Sequence, residues 1–158
     1  MANEIPLIEL YRARQRIHGM VRQTPLEHSP SLSARLGAPV YLKLESQQAT
    51  GSFKLRGASN AIAQLDDAQK ARGVVAASTG NHGRALAHAA RALGVPAVIC
   101  LSCLVPANKV EAIRALGAEV RIVGNSQDDA QAEAERIAHE RGAALLPPFD
   151  HPQIIPGH

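Results

Sequence analysis

The chain has 158 residues, 46% of them apolar and 20% charged, and carries a formal net charge of +3. That is enough chain and enough apolar content for one globular domain with a real core. Lys and Arg are scattered, so no basic stripe suggests nucleic acid; no apolar run approaches the ~18 residues of a membrane helix; and MANEIPLIEL lacks the basic-then-apolar order of a secretory leader. A cytoplasmic protein without nucleic-acid or membrane partners is expected.

Leu7, Leu10, Tyr11, Ile17 and Met20 recur at near-helical spacing and predict a helix over about 6–20. Thr24-Pro25 ends it. Ser29 to Gly37 reads as a short helix, with Pro30 in its first turn and Gly37 as its stop. Residues 40–45, VYLKLE, alternate apolar and polar over a strand length. A polar loop follows over 47–53, and helical character resumes from Lys54.

From residue 73 a rhythm sets in. GVVAAS is a short apolar run and TGNHG a turn. RALAHAARALG is an Ala-rich helix ending at Gly94. VPAVICL is a second apolar run, PANKVEAIRALG a helix that opens on Pro and ends at Gly117, and AEVRIVG a third strand candidate. Ser126 caps a helix ending at Gly142, and AALLP is the last strand candidate. The fold class is therefore α/β, a parallel sheet with flanking helices built from βαβ repeats. Cys100 and Cys103 form a C-x-x-C, a spacing open to redox chemistry or half a zinc site. Cys100 falls inside an apolar run and no second pair exists, so the pair is read as structural and no metal is expected.

Ligands of open parallel sheets sit beyond the carboxyl ends of strands. That singles out Ser78-Thr79-Gly80-Asn81-His82-Gly83, between a strand and a helix whose free N–H groups suit a carboxylate or phosphate. Read simply, the same stretch is a polar turn capped by Thr79 or Asn81. It matches neither G-x-G-x-x-G nor a P-loop. The second motif is Gly51-Ser52-Phe53-Lys54-Leu55-Arg56-Gly57-Ala58. A lysine doing covalent work needs its pKa lowered by burial or a neighbouring cation; Phe53, Leu55 and Arg56 are compatible with such a site.

Together, SFKLRGA and STGNHG resemble the fold-type II pyridoxal-phosphate (PLP) enzymes, the tryptophan-synthase-β-like family, in their threonine dehydratase and serine racemase branch. Cysteine synthases, with S-V-K-D-R at the lysine, resemble the chain less. The likeness extends over Gln23-Thr24-Pro25-Leu26, YLKLE at 41–45 and VPANKVEAIRALGAEV at 105–120. RALAHAARALGVPAVICL and LPPFDHP are similar to the hydroxyectoine-utilisation dehydratases.

The resemblance implies that Lys54 carries PLP as a Schiff base and later acts as general base, that Phe53 lies by the cofactor ring, and that Asn81 meets its phenolic oxygen. Ser78, Thr79, Gly80, Asn81 and His82 grip the substrate carboxylate. His82 is read as ordering the loop rather than as a catalyst. The implied activity is that of an ammonia-lyase: β-elimination from a β-hydroxy amino acid such as threonine or serine, giving a 2-oxo acid and ammonia. Serine racemases usually carry serine at the position of Thr79, a candidate acid/base, so threonine there leans toward elimination. Alternatives are a racemase or β-replacement enzyme of the same fold, or a non-catalytic anion-binding α/β fragment.

The family's chains are roughly twice this length, with the Gly-rich phosphate loop in the second half. On the resemblance, residues 1–68 belong to the large domain, 69–148 form the small domain and 149–158 start the return. A truncated chain, inactive alone, is therefore expected. The partners expected are a small amino-acid substrate and further copies of the chain, since the family forms homo-oligomers.

Overall fold

A computed structural model describes residues 5–158. Helix α1 (Leu7–Arg16) ends earlier than its apolar spacing predicts, and a turn carries the chain on through Met20. Of its apolar positions Ile17 is buried, whereas Leu7, Leu10 and Tyr11 are exposed. Strand β1 (Leu26–His28), helix α2 (Pro30–Leu36) and strand β2 (Tyr41–Lys43) follow. β1 and β2 pair antiparallel, Leu26 opposite Lys43 and His28 opposite Tyr41. β1 was not foreseen. It is three residues long and exposed throughout, so it buries no face that would impose an alternating pattern, whereas β2 lies within the strand predicted over 40–45.

Helix α3 (Lys54–Ala63) starts at the lysine, as expected. Its Leu55, Ala58 and Ile62 are fully buried at helical spacing. A further helix, α4 (Asp67–Arg72), also went unforeseen. Its signal was a capping box: the Asp66 carboxylate accepts the Gln69 N–H, and the Gln69 side chain returns to the Asp66 N–H.

The larger sheet contains β3 (Val74–Ala77), β4 (Ala97–Leu101), β5 (Glu119–Ile122) and β6 (Ala144–Leu145), in spatial order β5-β4-β3-β6 and all parallel. Between them run α5 (Asn81–Ala92), α6 (Ala107–Arg114) and α7 (Gln127–Arg141). β3 and β4 are buried on both faces, which is why they read as unbroken apolar runs. Val74, Ala76, Ile99 and Leu101 face a core shared with α3, α5 and α6. Val75, Ala77, Val98 and Cys100 face α7 through Ala130, Ala134 and Ile137. Burial pushes the Cys100 thiol up to about 11, with Glu133 adding to the effect. Cys103 is exposed, donates its S–H to Asn125 Oδ1 at 2.8 Å, and like Cys100 is a free thiol.

α3 packs directly on α5, where Ala85, Ala89 and Ala90 present small buried side chains. After β6 the chain returns to α3 and α1 through a short 3-10 turn, Ile155–Gly157. Buried Asn60 ties this return down by donating Nδ2–H to the Gln153 carbonyl at 2.6 Å. No helix of the described residues is long and apolar enough to cross a membrane.

Candidate active site

The strand order reverses at β3. The chain leaves β3 for β4 on one side, and β6 returns to pair on the other. Such a reversal opens a crevice beyond the strands' carboxyl ends. A cavity of about 390 Å³ lies there, within the usual size of ligand sites. Its lining includes Phe53 and Lys54 from the start of α3, Ser78–His82 after β3, Gln127 from α7, and Pro148 and Phe149 after β6.

The turn is built around Ser78. Its Oγ accepts the Gly83 N–H at 3.0 Å and the Gly80 N–H at 3.4 Å. The capping expected of Thr79 or Asn81 therefore falls to Ser78, and α5 starts at Asn81 rather than after the turn. Gly83 is required by space. A Cβ there would lie 2.7 Å from the Ser78 carbonyl oxygen and 3.1 Å from Ile99 Cγ2. Among the described residues no acceptor takes the N–H groups of Thr79, Asn81 and His82. Three N–H groups at the start of a twelve-residue helix can together receive an anion.

His82 is 3% exposed and donates Nε2–H to the Leu146 carbonyl at 2.8 Å, tying the turn to the chain after β6. Its buried Nδ1 has no partner. Burial lowers its pKa, the nearby Lys54 charge lowers it further, and the Leu146 bond opposes both.

Lys54 is half-buried. Ser52 Oγ accepts its backbone N–H at 3.3 Å, and its Nζ donates to the Pro148 carbonyl at 2.6 Å. Burial lowers its pKa. Arg56, which the sequence offered as a neighbouring cation, is committed elsewhere. Its Nε and one terminal nitrogen meet the two Glu45 oxygens at 3.0 and 2.6 Å, and Thr24 Oγ1 donates to the same carboxylate. That network ties the start of α3 to Thr24 and Glu45.

All seven residues singled out in sequence line the cavity together: Phe53, Lys54, Ser78, Thr79, Gly80, Asn81 and His82. Sequence reasoning missed Gln127, Pro148 and Phe149. It also missed His158, whose ring meets Phe53 edge-on at 4.9 Å and whose pKa burial pushes down to about 4. These residues sit far from the two motifs along the chain, and the only local sign was Phe149, one of just two phenylalanines. The donor set fits the aldehyde end of PLP: a half-buried primary amine, an aromatic ring beside it, and free N–H groups across the cavity for a carboxylate.

Residues 17–158 match the family model described as pyridoxal-phosphate dependent enzyme. The chain is 60% identical over 155 residues to a Sinorhizobium fredii protein that carries a threonine dehydratase name, covering 98% of this chain and 47% of that one. It is 42% identical over 153 residues to the L-threonine ammonia-lyase of Thermotoga maritima, covering 97% and 38% respectively. Among solved structures, maize serine racemase superposes with a TM-score of 0.90 at 37% identity, over 96% of this chain and 46% of that one. The chain thus spans about half the length, or less, of these relatives.

Proposed function

From the premise that this chain belongs to the pyridoxal-phosphate dependent enzyme family, we propose that it carries the amino-acid-handling part of an ammonia-lyase site. One observation carries the reading: the half-buried Lys54 amine and a helix-start turn with three free N–H groups share a single cavity. Lys54 holds the cofactor through its Nζ and, once released, takes the α-proton of the substrate as general base. Phe53 lies against the cofactor ring, and the Asn81 amide meets its phenolic oxygen. The N–H groups of Thr79, Asn81 and His82 receive the substrate carboxylate, with Ser78 and Gly80 shaping the turn around it. His82 holds the turn in place through Leu146. Bound PLP supplies an electron sink for the α-carbon.

The substrate is a β-hydroxy amino acid such as threonine or serine. Loss of its α-proton and β-hydroxyl removes water, and hydrolysis of the enamine product yields a 2-oxo acid and ammonia. The dehydratase and ammonia-lyase names of the relatives support this choice. A second reading, amino-acid racemisation, is favoured by the likeness to maize serine racemase. Thr79 speaks against it: a β-branched hydroxyl is stiffer at χ1 than serine, a disadvantage for proton transfer at the opposite face of the α-carbon. The narrower reading is hydroxyectoine utilisation, supported by the sequence over 84–101 and 146–152.

On this reading residues 1–68 and 149–158 belong to a larger domain of the whole enzyme, a cytoplasmic homo-oligomer, and 69–148 form its small domain. The 158 residues alone hold PLP weakly, because the described residues offer no glycine-rich cradle for its phosphate beyond the 78–83 turn. The test is a chimera joining this chain to the second half of the Thermotoga L-threonine ammonia-lyase, incubated with L-threonine and L-serine. Ammonia and 2-oxo acid are the expected products. D-amino acid without ammonia would transfer the assignment to racemisation.

A further inference from the structure

Both phenylalanines of the protein face one amine. The Lys54 Nζ lies 5.0 Å from the centre of the Phe53 ring and 4.9 Å from that of Phe149, and it donates to the Pro148 carbonyl at 2.6 Å. The chain has two Phe and no Trp in 158 residues, so this convergence uses all of its Phe and Trp rings. Core packing does not account for it, since Phe149 is 71% exposed.

We propose that Phe149, with the Pro148 carbonyl, is a positioning residue for Lys54, holding the amine as an ammonium at the cavity wall until an aldehyde claims it. The proposal rests on the reading of Lys54 given above. Ring faces attract a cation within about 6 Å, and the carbonyl accepts a hydrogen bond from one of the three ammonium N–H groups. Burial acts the other way and favours the neutral amine.

No other charge settles the balance. Arg56 on α3 is engaged by Glu45. His82 from α5 and His158 from the 3-10 turn both have lowered pKa values, chiefly through burial, and present neutral rings near pH 7. The return segment brings Asp150 and His151; the pKa of His151 is lowered by burial, and no carboxylate pairs with Lys54 among the described residues. The rings and the carbonyl are what stabilise the charged form. Condensation requires the amine to lose a proton and leave this pose before its nitrogen bonds to the aldehyde carbon and water departs.

Trace acetylation of the chain's amines across pH, read residue by residue by mass spectrometry, gives the titration midpoint of Lys54, with Lys70 as internal reference. Phe149→Leu keeps apolar bulk and loses the ring face, whereas Phe149→Tyr keeps both. The Leu variant is expected to lower the midpoint by about half a pH unit while the Tyr variant leaves it in place. An unmoved midpoint in Phe149→Leu, or reactivity raised equally at every pH as simple unshielding would give, overturns the proposal. Because Phe149 is exposed, both variants are expected to keep the wild-type circular dichroism spectrum. Failure of the underlying reading shows separately, as absence of a borohydride-fixed PLP tag on Lys54 whatever its midpoint.

Discussion

Arg56 meets Glu45 through two parallel contacts, 2.6 and 3.0 Å long, two residues along α3 from the candidate cofactor lysine. Both side chains are largely shielded, and Thr24 completes the carboxylate's bonding. Glu45→Ala leaves a shielded guanidinium without its partner and is expected to cost about 2 kcal/mol. Burial alone would raise the Glu45 pKa, but hydrogen bonds from Arg56 and Thr24 and the Arg56 charge bring it below the ordinary 4.5. A depressed folded-state pKa means that this stabilisation is complete above about 4.5 and disappears as pH falls through the lowered value. The difference in urea-unfolding stability between wild type and Glu45→Ala should therefore be larger at pH 7 than at a pH well below 4.5. A gap of equal size at both would show that the ion pair is not its source.

His82 makes the opposite end of the site sensitive to acid. Its folded-state pKa lies below 6.5, so the neutral ring's contribution is present above 6.5 and lost as pH drops through the lowered value. His82→Phe leaves the Leu146 carbonyl without its donor and should cost about 1–3 kcal/mol at pH 8. That cost should shrink toward pH 5. Thermal unfolding midpoints at the two pH values decide it, and a constant difference would remove the titration from the account.

Gly83→Ala forces a methyl against the Ser78 carbonyl and Ile99. Overpacking of this kind costs about 1–3 kcal/mol, and here the strain falls on the turn itself. Reduced stability should accompany faster amide hydrogen exchange at residues 78–83 relative to β4. Unchanged exchange there would mean that the helix shifts as a body and the turn is not pinned by the glycine.

Much of this architecture was legible from residue order. β3 and β4 are buried on both faces, so VVAA and AVICL stand out as apolar runs, and α7 is bracketed by Ser126 and by Gly142 in a left-handed conformation. β1 left no trace because an exposed three-residue strand needs no pattern, whereas β2 stood out within the alternating stretch VYLKLE. α4 was signalled by its Asp66–Gln69 box rather than by any apolar stripe, since none of its residues is buried. In the site, Lys54 and Ser78–His82 were legible because each motif is local. Pro148 and Phe149 reach the amine only because β6 pairs beside β3, a consequence of strand order that no short stretch of residues encodes.

Capture of an aldehyde by the Lys54 amine is the claim that everything chemical depends on. Incubating the 158-residue protein with saturating PLP, reducing with borohydride and mapping peptides reads it directly. The mass of reduced cofactor is expected on Lys54 well ahead of Lys43, Lys70 and Lys109, and Lys54→Ala should abolish the preference. Tagging spread evenly over the lysines, or absent from Lys54, would contradict it.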